Sequence, residues 1–312
     1  MQPTGKMLRA CANAILLAAA ALAFGQETAG FSAGTVLVIT HGITANGVVT
    51  RAWHAAIRGR HDPELLPQVL AGKPKWSQAE ADWANLIHRR AVAWPAMIDS
   101  LRIPFVNLPP PGTIAILLGN RGGEDAFLFA DSIICFDLHK LQRQYGPATA
   151  AANHDKIDRL FAHEFTHVLH KAWRRQKGLI LQSPFEAALW ECLTEGLGNY
   201  RSLSSKWLSA GGELTPHAQE VLARLQPILV ERLAALAQAR PEESGALMKG
   251  LSSGPFDQKW GALPVALWLA QEARGDERNL RQWVEAGPPG VLQLAQKYLP
   301  ASLKKKMPAN SR

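Results

Sequence analysis

Apolar positions along this chain change period several times, and each change marks an element. Thr35-Val36-Leu37-Val38-Ile39-Thr40 is a β-branched run that predicts a strand. From about Val48 to Ser100 the spacing turns helical, with Ala52, Ala55 and Ile57 opening one segment and proline-led Pro63-Glu64-Leu65-Leu66 another. Ser77-Gln78-Ala79-Glu80 has the form of a capping box and predicts a longer helix through Leu86, Ile87, Ala91 and Val92. Pro109-Pro110-Pro111-Gly112 breaks the pattern. Thr113–Leu118, Ala126–Phe129 and Ser132–Phe136 then read as short strands, separated by a loop at Gly119-Asn120-Arg121-Gly122-Gly123.

Helical spacing returns near residue 153. Asn153 or Asp155 is positioned to cap a helix running through Trp173, with Gly178 as its stop, and no proline or glycine interrupts residues 155–177. Pro184 opens a second helix through Tyr200. From Thr215 apolar residues recur at three and four spacing through Leu233, and further helices follow over Trp260–Ala273, Leu280–Glu285 and Val291–Leu299. The expected fold class is α+β: a small mixed or antiparallel sheet beside a two-helix core, with a mostly helical C-terminal lobe. The expected organisation is a leader at 1–25, a helical and small-sheet lobe at 26–150, a helical lobe at 151–300 and a disordered basic tail at 301–312.

Composition narrows the functional classes. The chain has 312 residues and a formal charge of +8, with 47% hydrophobic and 19% charged residues, an ordinary globular balance. Its basic residues are spread thinly apart from Lys304-Lys305-Lys306 and are not interleaved with aromatics, which argues against nucleic-acid binding. Lys6 and Arg9 precede the apolar run Ala14–Ala23, and Ala21-Leu22-Ala23 or Ala23-Phe24-Gly25 offers a small-residue cleavage site. That run is too short to span a bilayer. It predicts export, to the periplasm or outside the cell, with no stable membrane insertion. After cleavage Cys135 and Cys192 remain, either paired or as two buried thiols.

The chemistry concentrates in His163-Glu164-Phe165-Thr166-His167. Residues four apart share a helix face, so two imidazoles can serve one ion while Glu164 poises a water as general base. A zinc site of this kind needs a third ligand and one open position. The next helix carries Glu191 and Glu195, four apart, two acids that repel unless a cation or a proton lies between them. Gly250-Leu251-Ser252-Ser253-Gly254 matches a serine-hydrolase elbow, but no strand precedes it and no histidine follows His217, so it reads as a loop.

His163-Glu164-x-x-His167, followed 28 residues on by Glu195-Gly196-Leu197-x-x-Tyr200, resembles the gluzincin superfamily of zinc metallopeptidases over residues 155–200. The short basic exported form also resembles uncharacterised bacterial zinc-dependent proteases. The resemblance implies one zinc ion held by His163, His167 and Glu195, Glu164 as general base, and a peptide or protein substrate. A thermolysin-like arrangement would instead use Glu191 as ligand, with Glu195 orienting a histidine. Superfamily members carry Trp-x-x-Glu-Gly, whereas Trp190 here lies five residues before Glu195. Tyr200, His217 and Tyr145 are candidates to stabilise an oxyanion, and His170 is expected behind the ligands or on the surface. The alternative function is a catalytically inactive gluzincin-like binding protein with a structural or vestigial zinc site.

Overall fold

The computed structural model describes residues 36–39, 76–119 and 124–308. The expected leader and the helical turns between Val48 and Pro74 lie outside these residues. The described chain is α+β and divides into two compact units. Of the described residues, those up to Ala91 and within Pro110–Thr149 form the first; Val92–Pro109 and those from Ala150 onward form the second.

In the first unit, β1 (Val36–Ile39), β2 (Ile114–Leu118), β3 (Ala126–Phe129) and β4 (Ile133–Phe136) form one sheet in the order β1-β2-β4-β3. β1 and β4 flank β2 in parallel, and β3 pairs antiparallel with β4, from Phe129 opposite Ile133 to Ala126 opposite Phe136. The sheet is therefore mixed. Helix α1 (Gln78–Ala91) begins in the predicted capping box: the Ser77 amide donates to Glu80 Oε2 at 2.7 Å and the Glu80 amide to Ser77 Oγ at 3.3 Å. Trp83 Nε1 ties α1 to helix α3 (Leu138–Tyr145) by donating to Gln142 Oε1 and to the Gly146 carbonyl. Gly119 closes β2 at φ +81°, where a Cβ would stand 2.5 Å from Trp76 Nε1, so both its conformation and the indole require glycine.

Val92 does not continue α1. It is 83% exposed, and Trp94-Pro95 starts a separate helix, α2 (Trp94–Leu101), that belongs to the second unit. The expected lobe boundary at residue 150 overlooked this excursion. Its physical cause is Trp94, fully buried, which stacks on Phe161 at 4.1 Å and donates from Nε1 to Asp158 Oδ1 at 2.9 Å.

The second unit is built on α4 (Ala151–Lys177) and α5 (Pro184–Ser202). At 27 residues α4 is about 40 Å long. It starts from Ala150, so Asn153 and Asp155 fall within its first turns instead of capping it, and Asn153 is buried there. Gly178 ends α4 in the left-handed conformation at φ 61°. Ser183 caps α5, its Oγ accepting the Glu186 amide, and Pro184 follows in the first turn. Helix α6 (Pro216–Leu236), the short α7 (Ser244–Met248), the almost wholly buried α8 (Ala262–Ala273), α9 (Arg281–Ala286) and α10 (Pro288–Tyr298) complete the helical lobe. Ala301–Lys304 forms a last short helix, α11, where a disordered tail was expected.

Arg201 locks the end of α5. Its side chain is 2% exposed and donates to Thr166 Oγ1 of α4 at 2.7 Å, to the Leu101 carbonyl of α2 at 2.6 Å and to Glu277 Oε2 at 2.9 Å. Thr166 passes its own hydroxyl proton back to the Ala162 carbonyl at 2.6 Å. Removing one member of a buried charged network leaves the others without partners, so Arg201→Met is expected to lower unfolding stability by about 3–5 kcal/mol. Guanidinium unfolding monitored by tryptophan fluorescence reads this directly, and a loss below about 1 kcal/mol would show that the network is not a lock.

Candidate metal centre

His163 and His167 stand one turn apart on α4, with ring centres 4.9 Å apart. Glu195 reaches them from α5: its Oε2 lies 3.6 Å from His163 Nε2 and its Oε1 lies 3.4 Å from His167 Nε2. The side chains are mostly buried, at 14%, 17% and 24% exposure respectively. One ligand atom from each of the three falls within 4.8 Å of the others, and the group could hold a metal ion. The two His–Glu195 distances, each to a different carboxylate oxygen, are of the size an ion needs. Donors about 2.1 Å from a common ion in tetrahedral array stand about 3.4 Å from one another. Two imidazoles and a carboxylate are also a donor set of the right chemistry, leaving a fourth position for water.

Glu195 and His163 stabilise each other's charged forms. Burial would raise the Glu195 carboxyl, but His167 and His163, with help from Lys259, hold it down at about 2. Glu195 is therefore an anion throughout the neutral range. Burial pulls the other way on His163, and the Glu195 hydrogen bond with the Glu164 charge raises it above its ordinary value. Glu164 is buried beside His163, at 8% exposure.

Two further residues shape His163. Gly198 lies three residues after Glu195 on α5, and a Cβ there would come within 3.0–3.2 Å of three His163 ring atoms, Cε1, Nδ1 and Nε2. Ser202 Oγ lies 3.3 Å from His163 Nδ1 and also donates to the Gly198 carbonyl at 3.2 Å. With its proton on that carbonyl, the Ser202 oxygen is placed to accept from Nδ1–H, the tautomer in which Nε2 can ligate an ion. Both residues fall on the Glu195 face, three and seven positions on, so helical spacing alone could have found them. Lys259 gave no such signal, since it arrives from a loop far along the chain.

The remaining expected residues lie elsewhere. Glu191 is not in the ligand group; its Oε1 accepts from Ser252 Oγ at 2.6 Å, and burial, opposed by that bond and reinforced by Glu195, raises its carboxyl. Ser252 is thus occupied with an acid, and its elbow-like sequence is a loop. Tyr200 sits about 140° around the α5 axis from Glu195. Its hydroxyl is pushed up to about 12 by burial and by Glu277, partly offset by Arg201. Tyr145 belongs to the first unit, where its hydroxyl donates to Asp125, and His217 packs against Trp207 at 4.9 Å. His170 is not on the surface: it is 2% exposed, edge-on to Phe105 and to Trp190. Cys135 and Cys192 are both buried and are not joined by a disulfide.

Two outcomes are expected. Gly198→Ala should push the His163 ring by a few tenths of an ångström and weaken metal binding by about tenfold or more, with stability changed by less than about 1 kcal/mol. Competition with a zinc chelator measures the first and thermal melting of the metal-free protein the second; unchanged affinity would remove Gly198 from the site. Burial, with His167 and Arg201 nearby, holds His170 well below its ordinary 6.5. The unfolded chain therefore takes up this proton first, and stability present above pH 6.5 is lost as pH falls below it, by up to about 1.4 kcal/mol per pH unit. His170→Phe should flatten that loss between pH 6.5 and 5 in urea titrations, and parallel profiles for the two proteins would contradict it.

No protein-family model, curated protein or solved structure matches this chain.

Proposed function

We propose that this chain is an exported zinc-dependent metallopeptidase that hydrolyses peptide bonds with Glu164 as general base. The observation that carries the reading is the convergence of His163, His167 and Glu195, one ligand atom of each within 4.8 Å of the others, with Glu164 next in sequence to the first. His163, His167 and Glu195 would hold the ion. When bound, zinc supplies Lewis acidity, lowering the pKa of its water and polarising a carbonyl. Glu164, fixed on the rigid interior of α4, accepts the proton of the attacking water and returns it to the departing amine. Glu195 stays ionised because the two imidazoles stabilise its charge. The Nδ1–H of His163 is held by Ser202, which keeps Nε2 free to ligate. No helix among the described residues is long and apolar enough to cross a membrane. The apolar run at Ala14–Ala23 supports export.

Zinc-replete protein is expected to carry one ion per chain and to lose it in His163→Ala, as read by atomic absorption. Glu164→Gln should keep the ion and the fold but lower cleavage of a peptide library by at least about a hundredfold. A protein that binds no zinc under replete conditions would end the metal reading. Cleavage undiminished in Glu164→Gln would end the general-base assignment. Zinc binding with no cleavage by the wild type would leave an inactive binding protein.

A further inference from the structure

We propose that Lys259 binds a carboxylate of the substrate beside the candidate metal group, so that the protein selects peptides carrying a negative charge near the bond it acts on. The inference rests on the metallopeptidase reading and specifies its substrate class.

Lys259 lies in a strap, residues 249–262, that leads into α8. Backbone bonds fold the strap on itself: the Trp260 amide donates to the Gly250 carbonyl, and the Gly261 and Ala262 amides both donate to that of Leu251, all at 3.0–3.1 Å. The strap lies directly on α5. A Cβ at Gly261 would be 2.8 Å from Cys192 Sγ, and a Cβ at Gly196 would stand 3.5 Å from the Ala262 carbonyl oxygen. Ser252 reaches from the same strap to Glu191. Lys259, two residues before Gly261, therefore enters beside the turn of α5 that carries Glu195. Its charge is felt by both Glu195 and His163.

The ammonium is held but not spent. Its Nζ lies 5.6 Å from the centre of the Phe256 ring, and among the described residues no ion pair engages it. With neutral imidazoles, the charges of Glu164 and Glu195 balance a divalent ion, and Lys259 leaves the site one positive charge in excess. An excess cation beside partly buried side chains concentrates anions there. A fixed donor aimed at one atom is what an oxyanion requires. Lys259 has instead a flexible four-carbon stem, which suits a point-charge contact with a carboxylate.

The test uses full-length, zinc-loaded Glu164→Gln protein, which binds without turnover. Two pairs of peptides are titrated by calorimetry, one pair differing in a free or amidated C-terminus, the other in a Glu or Gln side chain. The carboxylate member of one pair is expected to bind about tenfold more tightly, and that pair names the source of the charge. The preference should fall below about twofold when Lys259→Met is added, and survive with Lys259→Arg. Equal binding within both pairs, or a preference that persists in Lys259→Met, would overturn the proposal. Zinc content measured on the same samples separates the two readings: zinc bound without preference sinks the role of Lys259 alone, whereas absence of zinc sinks both.

Discussion

The guanidinium of Arg201 fixes the register between α4 and α5, and the candidate site depends on that register. Thr166, which accepts from Arg201, lies immediately before His167, and Arg201 itself lies six residues after Glu195. One bond thus ties the turn holding the histidines to the helix holding the carboxylate. A slip of one turn, about 5.4 Å, would carry Glu195 out of reach of both rings. The same guanidinium also holds the Leu101 carbonyl and Glu277, so the register is braced from two other parts of the unit.

Around that contact, charge is distributed with little surplus. Glu195 is paid attention by two imidazoles, Glu191 is turned aside to Ser252, and Glu277 answers Arg201. The two acids of α5 that the sequence shows four apart are therefore not a shared ligand pair. One faces the histidines, and the other accepts from Ser252, its carboxyl raised by burial. Among the described residues no ion pair engages Lys259, though its charge helps hold Glu195 ionised.

Much of the second unit was legible because its signals are local. A run without proline or glycine, a glycine stop and a Ser-Pro start defined α4 and α5, and the Ser77–Glu80 box defined the start of α1. Four-residue spacing placed His163 and His167 on one face. The choice of Glu195 over Glu191 needed a motif, since periodicity puts both on the same side of the helix. What the sequence hid was long-range. Nothing in Trp94 announces that it will stack on Phe161, and so Val92–Pro109 was read into the wrong lobe. Buried strands of four or five residues carry no direction, so parallel pairing around β2 was not readable. Tyr200 belonged to the motif by spacing, yet helix geometry turns it toward Glu277. Lys259 is invisible because a single lysine in a loop has no pattern at all.

The short connection after Gly178 has a consequence for how the protein is made. His163, His167, Glu195, Gly198 and Ser202 all belong to one helical hairpin, so their contacts are close in sequence and form at low entropic cost. Lys259 and Glu277 follow much later in the chain. During synthesis the residues of the candidate centre have therefore all emerged while Lys259 and Glu277 are still to follow. The centre is thus local in sequence, and what braces it comes from the C-terminal part of the chain.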